Sequence, residues 1–185
     1  MLLRPPLKPE ASVALIGMRG AGKSSVAPLL AARLGWPWLD LDAALSQQTG
    51  LTIAELMARE GEDGFRSREA GLLAASLAQP RRVLATGGGV ILRADNRLRL
   101  RDAAVVVYLS AAPATLWQRL RGDPAPGQRP PLTSLPGPDE VATLFAQRDP
   151  LYRATADLIV DTADRTPAEL SQELCERLAP WICTT

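Results

Sequence analysis

Gly17-Met18-Arg19-Gly20-Ala21-Gly22-Lys23-Ser24 fits the phosphate-binding pattern GxxxxGK[S/T] at every fixed position. In such a run the glycines let backbone N–H groups curl around phosphate oxygens. Lys23 then places a charge near the β and γ phosphates, and Ser24 offers a hydroxyl to Mg²⁺. The flanks agree: apolar Val13-Ala14-Leu15-Ile16 reads as a buried strand and residues 25–34 as a helix, so bound phosphates would meet a helix N-terminus. A glycine-rich turn with a surface lysine is the plainer alternative.

Carboxylates come next. Residues 36–42 read as a second strand that ends on Asp40 and Asp42 at i, i+2. A strand would project both to one side at its carboxyl end, where open α/β sheets bind ligands. Alternatively they are solvated loop acids, with Asp42 capping a helix that starts at Ala43. A third short strand, residues 82–85, runs into Thr86-Gly87-Gly88-Gly89. A turn rarely needs three consecutive glycines; they allow close backbone approach to a ligand and expose N–H groups. This strand lacks the terminal acid that often helps hold Mg²⁺ beside a phosphate loop, and the next, residues 104–109, ends in Ser110. Asp40 and Asp42 are then the best placed acids by elimination. Arg66 and Glu69, at i, i+3 on one predicted helix, fit a surface ion pair as well as a ligand site. Arg148 by itself says little.

Composition narrows the field. The 185 residues include no histidine, so the commonest general base and transition-metal ligand is missing and proton transfer must fall to carboxylates. A net charge of +1 gives no broad basic surface for nucleic acid or membrane. Of two lysines, Lys8 falls in the N-terminal tail, which leaves Lys23 as the one in the body of a chain otherwise rich in arginine. Cys175 and Cys183 lack metal-type spacing and read as reduced thiols in a cytoplasmic protein. No run approaches the ~20 apolar residues of a membrane span. Residues 1–10 are expected to be a disordered tail and 11–185 one domain.

Strands recur with helices between them, and most strand cores are apolar on both faces, which indicates a parallel sheet covered on both sides in a three-layer α/β fold. Helices are expected over residues 52–59 and 65–77, with Gly61 to Gly64 as punctuation, and over 113–121 and 141–151, where Pro150 marks an end or kink. Thr166 and Glu169 form a capping-box pattern, with Pro167 opening a last helix to about residue 178. Residues 122–138 hold six prolines and three glycines. Loops longer than about 12–15 residues in compact domains are usually lids or linkers. Too little chain follows for an independent core, so a mobile lid is expected, with Arg129 its one basic residue and candidate to reach phosphate on closure.

Taken together and in order, these motifs resemble those of shikimate kinases. The likeness runs from Val13 to about Leu178 and rests on Gly17 to Ser24, Asp40-Leu41-Asp42, Phe65-Arg66 with Glu69, Thr86 to Gly89, Arg129-Pro130-Pro131-Leu132, and Arg148 before Pro150-Leu151-Tyr152. It implies a P-loop kinase fold with a five-stranded parallel sheet of order 2-3-1-4-5 and a monomer that phosphorylates the 3-hydroxyl of shikimate with ATP. Nucleotide phosphates would rest on Gly20, Ala21, Gly22, Lys23, Ser24 and Ser25, and Mg²⁺ on Ser24 and, through water, Asp40. Asp42 would hold substrate hydroxyls and serve as base. Arg66 and Arg148 would clamp the substrate carboxylate, Glu69 would orient its neighbours, and Gly88 and Gly89 would present backbone donors. Arg129 would reach the phosphoryl oxygens, while Arg119, Arg165 and Pro167 would flank adenine. The lid departs from the family in its second proline, Pro131, and in its length. A gluconate-type kinase and a noncatalytic ATP-binding module are the competing readings.

Overall fold

The computed structural model describes residues 11–122 and 137–182. Residues 1–10 and 123–136 lie outside them, and with them Lys8, Arg129 and most of the segment expected to be a lid; so does Cys183. Two apolar strands carry the centre. β1 (Ser12–Ile16) is buried throughout and β4 (Ala104–Ser110) nearly so, which requires a sheet covered on both faces. β3 (Val83–Ala85) pairs with β1, β2 (Trp38–Asp40) with β3, and β5 (Leu158–Asp161) with β4. All four pairings are parallel, and the sheet order is β2-β3-β1-β4-β5 as the resemblance implied.

Register does the positioning. Leu15 lies between Ala85 and Val107, so β1 and β3 end within one residue of each other, while β4 runs on to Ser110. The phosphate loop and the glycine run therefore emerge side by side, where parallel sheets place their ligands. α1 (Lys23–Leu34) packs on α7 (Pro167–Ile182), and both α4 (Ala94–Ala103) and α6 (Pro138–Thr155) pack on β4. α5 (Pro113–Arg121) lies against α6. A separate cluster of Leu45, Ile53, Leu56 and Phe65 holds α2 (Leu41–Thr49) to α3 (Ile53–Leu77).

Three local expectations need correction. The second strand stops at Asp40, and Asp42 lies in the first turn of α2. Asp40 Oδ1 accepts from the N–H groups of Asp42 and Ala43 at 3.0 and 3.1 Å, so Asp40, not Asp42, caps the helix and turns the chain out of the sheet. The two helices expected across residues 52–77 are present within α3, but the break between them is Gly61 alone rather than Gly61 to Gly64; its φ of 72° and ψ of 175° are ones only glycine adopts readily. Pro150 does not end its helix, which runs on to Thr155 because Tyr152 is fully buried one half-turn beyond it. Burial of that ring outweighs the lost N–H.

Candidate active site

The phosphate loop is held tightly. Gly17, Gly20 and Gly22 all have positive φ, and a Cβ on Gly17 would come within 2.5 Å of the Leu109 carbonyl oxygen. Lys23 is 8% exposed, and its Nζ donates to the carbonyls of Gly17 and Met18 at 2.8 and 2.9 Å. No side chain among the described residues caps α1, which leaves its first N–H groups directed at the loop as an anion site. Arg119 donates to the Gly20 carbonyl at 3.3 Å and to both the hydroxyl and carbonyl oxygens of Thr162. It thereby ties the loop to the segment after β5.

Ser24 Oγ donates to Asp40 Oδ2 at 2.5 Å. A hydroxyl and a carboxylate side by side form a hard-oxygen pair suited to Mg²⁺, directly or through water. Among the described residues no group of three or more His, Cys, Asp or Glu could hold a metal ion. The residues present fit an ion that keeps most of its waters and takes its remaining ligands from phosphate, as Mg²⁺ commonly does.

One cavity gathers Asp42, Arg66, Glu69, Gly88, Gly89 and Arg148. Helix spacing accounts for part of this, since Arg66 and Glu69 share a face of α3 and meet through a 2.9 Å bond from Nη1 to Oε2. The pair is buried, Arg66 at 8% and Glu69 at 3% exposure, and Arg66 also stacks on Phe65 with its guanidinium carbon 5.0 Å from the ring centre. It is therefore not the surface ion pair that its spacing equally allowed. The glycines make the closeness possible: a Cβ on Gly87 would lie 2.5 Å from Glu69 Oε1 and 2.7 Å from Asp42 Oδ1, and one on Gly89 would strike the Arg66 guanidinium. Arg66 Nε and Glu69 Oε1 have no hydrogen-bond partner among the described residues. Buried polar atoms in that state are what a polar ligand would satisfy.

Burial pushes the Glu69 pKa above the ordinary 4.5; Arg66 opposes the rise and the Asp42 carboxylate adds to it. The folded state then keeps a proton that the unfolded chain has released. Stability from this group is complete below 4.5 and declines as the pH climbs through the folded value. Glu69→Gln removes the titration, so its unfolding temperature is expected to gain on wild type as the pH is raised from 4.5. Thermal unfolding across a pH series checks this; a difference, variant minus wild type, that stays constant or falls with rising pH would show that folding does not raise the Glu69 pKa.

Other expected residues sit elsewhere. Arg165 pairs with Glu173, and Pro167 opens α7 behind the Thr166–Glu169 capping box. Neither lines this cavity; Arg129 lies outside the described residues. Missing from the sequence reading were the cavity's apolar wall, with Ile53 and Met57 one turn apart on α3 and Val141 and Leu144 on α6, together with Glu140 and Arg19. The i, i+3 and i, i+4 spacing of the wall was legible as a helix face, but nothing in it distinguished a ligand wall from core.

The shikimate kinase family profile matches residues 19–179. Shikimate kinase of Oleidesulfovibrio alaskensis is 44% identical over 160 residues, covering 86% of this chain and 93% of that protein. Shikimate kinase 2 of Yersinia enterocolitica is 40% identical over 91% of this chain and 95% of its own. Among solved structures, shikimate kinase from Acinetobacter baumannii in complex with shikimate superposes with a TM-score of 0.87 at 34% identity, covering 95% of this chain and 96% of that one.

Proposed function

This chain belongs to the shikimate kinase family, and on that premise we propose that it transfers the γ-phosphoryl group of ATP to the 3-hydroxyl of shikimate. The observation that carries the reading is a single cavity, beside the phosphate loop, that combines the two buried guanidinium groups of Arg66 and Arg148 with the carboxylates of Asp42, Glu69 and Glu140. A small acid bearing several hydroxyls suits that set: Arg66 and Arg148 bind its carboxylate, and Asp42 accepts from its hydroxyls.

In the transfer, the hydroxyl oxygen forms a bond to the γ phosphorus and the bond to the β–γ bridging oxygen breaks. ADP leaves with the electron pair, and the hydroxyl proton passes to Asp42. Lys23 and the open N-terminus of α1 stabilise the phosphoryl oxygens, and catalysis is mostly positioning and charge stabilisation. Ser24 and Asp40 would hold Mg²⁺, which supplies charge neutralisation on the phosphates when bound. Glu69 holds Arg66 in place. Arg129 is proposed to meet the transferring group and Arg119, Arg165 and Pro167 to border the base; for Arg119, the bonds to Gly20 and Thr162 support a place at the nucleotide end. The proposal takes residues 11–185 as one catalytic domain, active as a cytoplasmic monomer. Among the described residues no helix is long and apolar enough to cross a membrane.

The test is coupled ADP release with shikimate, gluconate and a nucleoside monophosphate offered separately. Turnover with shikimate alone is expected, and no ADP above background with shikimate would overturn the proposal. Arg148→Ala is expected to raise KM for shikimate about 30-fold with a smaller change in kcat, because a carboxylate clamp acts in ground and transition states alike. An effect confined to the KM for ATP would move Arg148 to the nucleotide side.

A further inference from the structure

The glycine run after β3 has no side chains by which its neighbours could hold it, yet it packs directly on Asp42, Glu69 and Arg66. Its ends are anchored. Thr86 donates through both its N–H and its hydroxyl to the Leu15 carbonyl, at 3.2 and 2.9 Å, and Asn96 Nδ2 donates to the Val90 carbonyl at 3.0 Å. Of the three glycine carbonyls, two accept from the backbone of the short 3-10 turn that follows: Gly87 from Val90 N–H at 3.2 Å and Gly89 from Leu92 N–H at 3.0 Å. The middle one, Gly88, accepts from the Tyr152 hydroxyl.

Tyr152 is well placed to be a fixed point. It is fully buried, and its ring stacks on Tyr108 with centres 4.9 Å apart and planes 22° from parallel. Tyr108 is in turn anchored by its hydroxyl, which donates to Asp149 Oδ1 at 2.8 Å, and Asp149 Oδ2 accepts from Arg153 Nε at 2.7 Å. Burial raises the pKa of Tyr108 to about 12 and that of Tyr152 too, so both hydroxyls keep their protons and donate. Arg148 lies one turn before Tyr152 on α6, with its guanidinium near the same hydroxyl.

We infer that Tyr152 is a positioning residue: its hydroxyl fixes the Gly88–Gly89 peptide plane and so sets the direction of the Gly89 N–H toward bound substrate. In a planar trans peptide the C=O and the following N–H point opposite ways, so holding the Gly88 oxygen aims the Gly89 N–H. Between two glycines that plane would otherwise rotate with little steric opposition. Because Tyr152 and Arg148 lie on one helix face, α6 sets the substrate's carboxylate clamp and its backbone donor together. The inference rests on the proposed function, of which it names one more working part.

The experiment compares Tyr152→Phe with Tyr108→Phe. The first keeps the stack and removes the hydroxyl at Gly88; the second breaks the bond to Asp149 and leaves the Gly88 contact intact. Tyr152→Phe is expected to raise KM for shikimate about tenfold, the scale for losing a hydrogen bond to a buried carbonyl, while KM for ATP stays within about twofold. Tyr108→Phe is expected to lower the unfolding temperature and leave both KM values within about twofold. In the ligand-free protein, the Gly89 amide resonance is expected to shift in Tyr152→Phe and to stay in Tyr108→Phe. Equal effects of the two variants on shikimate KM, or an unmoved Gly89 amide in Tyr152→Phe, would overturn the inference. Wild type without shikimate-dependent turnover would sink the proposed function instead, and the amide comparison would still decide the role of Tyr152.

Discussion

Lys23→Ala is expected to lower kcat about 1,000-fold, the scale for removing a charge that stabilises a phosphoryl-transfer transition state. The ammonium is in place before any substrate arrives. It is nearly buried, and the Gly17 and Met18 carbonyls hold it at 2.8 and 2.9 Å, so little side-chain freedom remains to be lost when phosphate binds. Alanine removes the charge and also leaves two loop carbonyls without that donor, so a modest fall in unfolding temperature accompanies the kinetic loss. Lys23→Arg is expected not to rescue turnover, because a planar fork cannot occupy the space of a compact ammonium enclosed by carbonyls. Steady-state kinetics with thermal unfolding of the same preparations checks this. A kcat within about tenfold of wild type for the alanine variant would take Lys23 out of the chemistry.

Asp42→Asn is expected to lower kcat by about 100-fold or more while nucleotide binding stays near normal, as befits loss of general-base or positioning help. The substitution is a clean one here. Asp40, not Asp42, caps α2, so an asparagine of the same shape leaves the helix start undisturbed. The buried carboxylate of the cavity, Glu69, is a poor substitute. Glu69 is buried, is bonded to Arg66, and has its pKa raised by burial. Its Oε2 already accepts from Arg66 at 2.9 Å, so that oxygen is committed to holding the guanidinium rather than to a substrate hydroxyl. Turnover measured at saturating ATP and shikimate, alongside direct nucleotide binding, separates the two effects; unchanged turnover would remove Asp42 from the catalytic set.

Much of the fold was readable along the chain because its signals are local. The apolar runs at Ser12–Ile16 and Ala104–Ser110, the glycine-rich loop between strand and helix, and the Thr166–Glu169 capping box each specify their element within a few residues. The errors fell where two local signals competed. At Asp40-Leu41-Asp42 alternation read as strand, but a capping side chain converts the last two residues into helix. At Pro150 the lost N–H argued for an end or a kink, and the end is excluded, since the helix carries the buried Tyr152 on to Thr155.

Residue types and spacing were sufficient for the phosphate loop, since a contiguous segment both forms the anion site and supplies its lysine and hydroxyl. They also sufficed for the family, whose ordered motifs span most of the chain. Only folding could decide between the two readings of Arg66 and Glu69. An i, i+3 ion pair looks the same in sequence whether it faces water or a cavity, and burial is set by what packs across it: here Phe65, the glycine run and α6. The same holds for Tyr152. A tyrosine near a helix end carries no mark of the carbonyl it will meet 64 residues away in the chain, and the bond to Gly88 exists because parallel strands of matched register bring that loop and that helix to one end of the sheet.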